Sequence, residues 1–194
     1  MVGSRPVDEF RETLKSIRGS ISTEEGTRLR ELAAGVTEGV IVEVGSWRGR
    51  STYALSTGAK EGGNAPVFAI DPHEEFDGVF GGEFGPPDRR AFYRNMLRTG
   101  CWDNVRLVNL SSEVVTPGWT RPVGMLWIDG DHTYEGVKRD VDCWVPFLLP
   151  GAPLVLDDTT KRRGGPRRLI RELTAQAWSV VERIGKVTVL KADG

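Results

Sequence analysis

Five segments of this chain end an apolar run in residues that can do chemistry. EVGSWRGRST (residues 43–52) follows GVIV, and PVFAID closes on Asp71. VRLVNL is followed by Ser111, Ser112 and Glu113, and VGMLWID runs into Asp129-Gly130-Asp131-His132. APLVLDD finishes on Asp157 and Asp158. The interiors are apolar and the ends polar or acidic, a division that surface solubility alone does not account for. In open α/β sheets, ligands bind at the carboxyl ends of the strands near the topological switch point.

The glycine turn narrows the ligand. A dinucleotide loop of the form G-x-G-x-x-G needs its second glycine so that the backbone can approach a pyrophosphate. Here that place holds Trp47, and the third glycine is also missing. A phosphate-binding P-loop is excluded because no Gly-Lys-Ser/Thr follows. What remains is E-x-G-x-x-x-G, formed by Glu43, Gly45 and Gly49, which can wrap a smaller ligand without phosphates. The helix expected to start near Ser51 offers backbone N–H groups to a carboxylate. Asp71 stands where an acidic residue takes a ribose diol. An adenosine with an amino-acid tail meets all three conditions, and S-adenosylmethionine is such a molecule. The alternative is a glycine turn that only permits tight strand–helix packing.

The elements that must position these residues follow from periodicity. Apolar residues spaced by three and four predict a helix over Pro6–Arg18, and Ser22-Thr23-Glu24-Glu25 has the form of a capping box opening a second helix to about Ala34. Strands are predicted at Val40–Val44, Pro66–Asp71, Val105–Leu110, Val123–Asp129 and Ala152–Asp158. Between them come helices at Ser51–Lys60, Asp88–Thr99 and Tyr134–Leu149, with another over residues 165–177. Trp178–Ile184 and Lys186–Lys191 predict a closing antiparallel pair around Gly185. Residues 72–87 carry four glycines, three prolines and three phenylalanines and predict a long irregular loop. The expected fold class is therefore α/β: a Rossmann-like, doubly wound, mostly parallel sheet of about seven strands with helices on both faces. One domain over 1–194 is expected, with N-terminal helices in 1–36 and a cofactor-binding core in 37–194.

Bulk properties fit that expectation. A chain of 194 residues can bury a core without disulfides, and 39% apolar with 27% charged residues is ordinary globular composition. A net charge of −1 gives no global reason for nucleic-acid or membrane binding. Cys101 and Cys143 are too few for a disulfide framework and lack metal-ligand spacing, so a reducing cytoplasm is expected. No apolar stretch approaches the roughly 20 residues of a membrane span.

In order and spacing, EVGSWRGRST, AIDPH, NLSSE, LWIDGDHTYEGVKRDVDCW and LLPGAPLVLDD resemble the motifs of class I S-adenosylmethionine-dependent methyltransferases, over about residues 40–160. IDGDHTYEGVKRD is the most specific run and is similar to the metal-dependent sugar O-methyltransferases of natural-product biosynthesis, of the macrocin and mycinamicin type. The resemblance assigns Glu43, Gly45, Ser46, Trp47, Gly49, Arg50, Ser51, Asp71, Ser111, Ser112, Glu113 and Asp129 to the cofactor. It also makes the fourth and fifth strands neighbours, about 4.8 Å apart. Asp129, Asp157 and Asp158 would then repel one another unless one is protonated or a cation is shared. All-oxygen ligation suits a hard ion, Mg²⁺ or Ca²⁺, and these positions match the family's metal aspartates, which makes Mg²⁺ or another hard divalent ion the expected metal.

In that family the residue three past the metal aspartate is the base. Here it is His132, with Asp131 as the competing candidate, and either would take the proton of an acceptor hydroxyl. The resemblance thus implies transfer of a methyl group to a hydroxyl of a small molecule. Metal-independent relatives, an RNA methyltransferase and a non-catalytic cofactor-binding module remain alternatives. The segment KRRGGPRRLIR (161–171) would serve RNA, although one basic segment on a net-acidic chain is weak grounds for nucleic acid. A homo-oligomer is left open. The loop around Phe76, Phe80 and Phe84 could close over the acceptor.

Overall fold

The computed structural model describes residues 7–161 and 164–193. The chain opens with α1 (Val7–Ser16) and α2 (Thr23–Ala34). Pro6, where the first helix is predicted to begin, lies outside the described residues. Ser22 caps α2 as a full capping box: its hydroxyl accepts from Glu25 N, and the Glu25 carboxylate accepts from Ser22 N at 2.6 Å. Then follow β1 (Val40–Val44), α3 (Arg50–Glu61), β2 (Val67–Ile70), β3 (Phe76–Asp77), β4 (Glu83–Phe84), α4 (Pro86–Thr99) and β5 (Val105–Val108). The second half runs α5 (Ser112–Val115), β6 (Val123–Ile128), α6 (Tyr134–Trp144), β7 (Leu154–Leu156), α7 (Gly165–Thr174), β8 (Trp178–Ile184) and β9 (Val187–Ala192).

Seven strands form one sheet in the order β5-β2-β1-β6-β7-β9-β8. The first five are parallel, while β9 runs antiparallel to both β7 and β8. Strand order reverses between β1 and β6, which places the switch point beside the glycine turn. Ile128 pairs with Leu156, so Asp129 and Asp157 follow matched positions on adjacent strands. One apolar layer packs α1–α4 against the sheet around Phe10, Leu14, Tyr53 and Trp127. The other packs α6 and α7 against its opposite face around Trp144, Leu169 and Leu156. Burying both faces explains the continuous apolar runs of the central strands.

Three elements differ from the sequence reading. Helix α6 ends at Trp144 rather than Leu149, because Pro146 lacks the N–H and its ring cannot follow a helical turn; residues 145–147 form a single 3₁₀ turn. Residues 112–115 form a short helix, with a 3₁₀ turn at Thr116–Gly118, that no periodicity announced. The segment after β2 is not wholly irregular: Phe76 pairs with Phe84 and Asp77 with Glu83 in a small hairpin turned through Gly81 and Gly82.

Candidate active site

The carboxyl ends of β1, β2, β6 and β7 open into a cavity of about 660 Å³, closed on one side by the α1–α2 link and on another by the β3–β4 hairpin. Its floor is the turn after β1. Gly45 adopts φ +83°, and a Cβ there would lie 2.3 Å from the Asp129 carbonyl oxygen, so only glycine lets the two strand ends approach. Asp71 holds the turn: Oδ2 accepts from Ser46 N at 2.9 Å and Trp47 N at 2.8 Å, while Oδ1 accepts from His73 N at 2.9 Å. Asn109 Nδ2 donates to His73 Nδ1 at 3.1 Å, which leaves His73 Nε2 to donate to the Trp47 carbonyl at 2.7 Å. Arg48 pairs with Asp88 at 2.6 Å, and its carbonyl accepts from Asn95 Nδ2 at 2.9 Å.

Most of the residues assigned to the cofactor lie on this cavity: Gly45, Ser46, Trp47, Arg50, Ser51, Asp71, Ser111, Ser112 and Asp129. Three do not. Glu43 is fully buried behind the wall, where Oε1 and Oε2 each accept a 2.5 Å hydrogen bond, from Ser51 and Thr52. Burial pushes its carboxyl up to about 7 against the pull of those hydroxyls. Glu43 therefore anchors the start of α3 instead of facing a ligand. Gly49 caps α3 with φ +85° and backs onto Phe92 and Met96. Glu113 is turned outward by α5 and pairs with Arg139 at 3.3 Å on the exterior. Asp71 lines the cavity, but Oδ2 is committed to the turn's N–H groups, a demand that a strand-to-helix turn always makes and that motif reading overlooked.

At the other side stand the acidic residues. Asp129, Asp131, His132 and Asp158 line the cavity, while Asp157 is completely buried behind them. His132 Nε2 lies 3.5 Å from Asp129 Oδ1 and 3.5 Å from Asp158 Oδ2. Burial lowers the His132 pKa, partly offset by Asp158 and Asp157, so the imidazole is neutral at neutral pH. Burial, and next the Asp157 charge, hold Asp129 well above the usual carboxylate range. Burial works to raise Asp158 too, but Lys161, Lys186 and His132 outweigh it and keep its carboxyl low. Asp131 is engaged by the start of α6: Oδ1 accepts from Thr133 N and Oδ2 from Thr133 Oγ1, both at 2.9 Å.

Asp129, His132 and Asp157 each offer a ligand atom within 4.8 Å of the others, so the group could hold a metal ion; it includes His132 and leaves out Asp158, unlike the predicted set of three aspartates. Asp157 Oδ1 is buried with no hydrogen-bond partner among the described residues. Sequence reasoning missed Lys186, whose ammonium pairs with Asp157 Oδ2 and lies 3.3 Å from Asp158 Oδ1. It missed His73, Asn109 and Asp140 as well; burial raises the Asp140 carboxyl to about 6 at the cavity edge. Only the spacing of His73 from the Asp71 strand end carried a local signal, since Lys186 arrives from a hairpin over 25 residues downstream.

All three loop phenylalanines reach the site. Phe80 stacks on His132 at 5.6 Å with Lys161 Nζ 3.6 Å from its centroid, and Phe84 packs on Phe76 and edge-on to Trp47. The basic segment is partly engaged locally. Lys161 pairs with Asp158 at 3.0 Å, and Arg168 pairs with Glu172 and covers Tyr134. Arg162 and Arg163 lie outside the described residues.

Residues 42–159 match the family model described as a methyltransferase domain. Among solved structures, the O-methyltransferase from Bacillus cereus in complex with S-adenosylhomocysteine superposes with a TM-score of 0.69 at 16% identity, covering 95% of this chain and 90% of that one. The Streptomyces achromogenes O-methyltransferase TomG, involved in tomaymycin synthesis and bound to S-adenosylmethionine, gives 0.67 at 14% identity over 99% and 91%. A Podospora anserina methyltransferase bound to S-adenosylhomocysteine gives 0.71 at 14% identity over 97% and 88%. At these identities the likeness is one of fold, and the family match spans more than half the chain. The chain belongs to the methyltransferase-domain family, the S-adenosylmethionine-dependent class that its motifs resemble.

Proposed function

We propose that the chain is an S-adenosylmethionine-dependent O-methyltransferase acting on a hydroxyl of a small molecule, a natural-product sugar or another diol, with a hard divalent ion such as Mg²⁺ at its carboxylates. The observation that carries this reading is His132 Nε2 standing 3.5 Å from both Asp129 Oδ1 and Asp158 Oδ2, across the same cavity as the Gly45–Trp47 turn. Two of the similar folds, from Bacillus cereus and Streptomyces achromogenes, hold the demethylated and the intact cofactor.

When bound, the cofactor supplies a sulfonium-activated methyl carbon, and the divalent ion lowers the pKa of an acceptor hydroxyl. Asp129, Asp157 and Asp158 would hold that ion. The neutral His132 accepts the hydroxyl proton at Nε2, a role that Asp131, with both oxygens engaged by Thr133, is less free to take. Displacement at the methyl carbon requires an in-line approach, so fixing the acceptor accounts for much of the acceleration. Phe80, stacked on His132, and Phe84, edge-on to Trp47, border this space. An RNA acceptor has less support, because Lys161 and Arg168 already serve Asp158 and Glu172.

Turnover of hydroxylated acceptors tests the reading. His132→Ala lowers kcat by roughly 10²–10⁴, as expected for loss of a general base. A change confined to KM for the cofactor would reassign His132 to binding. Chelation should abolish turnover and Mg²⁺ restore it. Full activity in chelator would leave a metal-independent methyltransferase, the reading that Lys186 beside the carboxylates favours.

A further inference from the structure

Three carboxylates at adjoining strand ends need positive charge, and the fold brings two lysines: Lys161 pairs with Asp158 at 3.0 Å from the loop after β7, and Lys186 reaches Asp157. Lys186 sits in the turn between β8 and β9, does not line the cavity, and reaches the cluster from behind. Its main chain is clamped on both sides: Lys186 N donates to Glu25 Oε1 at 2.8 Å, and the Lys186 carbonyl accepts from Thr159 N at 2.9 Å and Thr159 Oγ1 at 2.8 Å. Glu25 is itself fixed as the capping-box acid of α2. The ammonium so placed pairs with Asp157 Oδ2 and lies 3.3 Å from Asp158 Oδ1. Asp157 Oδ1 is buried and accepts no hydrogen bond from a donor among the described residues. One oxygen of the deepest carboxylate is therefore held by lysine, while that carboxylate also lies against the Asp129 side chain.

We propose that Lys186 is the resident counter-ion of Asp157 within this cluster and sets the cluster's divalent-ion affinity by competing for that carboxylate. The inference rests on the divalent-ion reading given above. Two consequences follow from electrostatics. The site stays assembled without a metal, because the ammonium already screens Asp157 from Asp158. An arriving ion meets a fixed positive charge a few ångströms away, in surroundings where such charges are poorly screened, and must share or displace it. The lysine thus lowers affinity relative to an otherwise identical all-oxygen site, and binding becomes readily reversible.

Calorimetric titration with Mn²⁺, in the absence of cofactor and acceptor, tests this on the full chain. Lys186→Met should bind Mn²⁺ on the order of 10–100-fold more tightly than wild type. Lys186→Arg, which keeps the charge, should stay within a few-fold of wild type. Without metal, Lys186→Met should unfold at a lower temperature than wild type and recover more of that loss when Mn²⁺ is added. Should that variant fail to fold, Lys186→Gln keeps a donor near Asp157 without the charge and should show the same tightening. Affinity in the neutral variants equal to or weaker than wild type overturns the inference and leaves the divalent-ion reading standing. Mn²⁺ binding to neither wild type nor variants, with S-adenosylmethionine still bound by both, overturns the divalent-ion reading itself and this inference with it.

Discussion

Glu43 is fully buried, with the hydroxyls of Ser51 and Thr52 as its hydrogen-bond donors and Asp71 nearby. Its carboxyl, ordinarily near 4.5, holds its proton to about 7 because burial disfavours the charge. Between those values the folded chain keeps a proton that the unfolded chain releases. Stability from this group is therefore greatest at low pH, falls as pH rises from 4.5 to 7, and is constant above. A shift of that size corresponds to about 3 kcal/mol. Glu43→Gln removes the titration, so its stability relative to wild type should improve by about that amount between pH 4.5 and pH 8. Urea denaturation at both values measures it, and parallel profiles for the two proteins would show that Glu43 stays ionised inside. The E-x-G motif made Glu43 visible from sequence alone, but not its role. Spacing marks a residue as part of a turn without saying which side of the wall its carboxylate faces. Asp71 carries the same lesson, since the two N–H groups it satisfies belong to backbone that no motif describes.

Among the elements, the closest packing is between α2 and α3. A Cβ placed on Gly58, in the middle of α3, would lie 1.9 Å from the Arg30 carbonyl oxygen and 2.7 Å from its carbon. Two effects oppose one another at this position. Alanine is favoured over glycine in a helix interior by about 1 kcal/mol. The clash is with backbone, not a flexible side-chain tip, so the helices would have to move apart, and overpacking costs typically 1–3 kcal/mol or more. The second effect wins: Gly58→Ala should destabilise the fold by about 1–2 kcal/mol in equilibrium denaturation, and any gain in stability would contradict the contact. Strand ends show a related pattern. Trp47, His73 and Asp158 all adopt positive φ, at 44°, 50° and 49°, and all three line the cavity. Each such conformation costs of order 1–3 kcal/mol and persists where surrounding contacts enforce it. Periodicity located the central strands and helices because their apolar spacing is fixed by burial on both faces of the sheet. It failed at α5, too short to show a period, and at the β3–β4 hairpin, two residues per strand. Lys186 was out of reach for a different reason: its partner Asp157 lies 29 residues earlier, and only the antiparallel return of β9 against β7 brings them together.

At the scale of the whole molecule, the N-terminal helices share an apolar cluster with the sheet and the helices that follow. Phe10, Leu14 and Ile17 of the first helical segment and Leu29 of α2 share one apolar cluster with Tyr53 of α3, Met125 and Trp127 of β6, and Val155 of β7. Arg18 and Ile21, in the link between α1 and α2, line the cavity, and Arg50 Nη1 donates to the Gly19 carbonyl at 2.8 Å. Glu25 then ties α2 to the β8–β9 turn that carries Lys186. A boundary near residue 36 would cut through all of these contacts. If the helices share the core, weakening them must weaken everything at once. Leu14 is fully buried, and its Cδ2 would lie 2.5 Å from a Cβ on Gly26, which shows how closely α1 sits on α2. Leu14→Ala removes three heavy atoms from that seam and should cost about 2–5 kcal/mol. For a chain of this size each kcal/mol lowers the midpoint by about 2–4 °C. The variant should therefore melt several degrees earlier in one transition, with far-UV circular dichroism and tryptophan fluorescence shifting together. The probes differ usefully, because all six tryptophans lie at position 47 or beyond, so fluorescence reports the core and not the first two helices. An early loss of helical signal with the tryptophan transition left in place would mean that α1 and α2 melt as an independent unit.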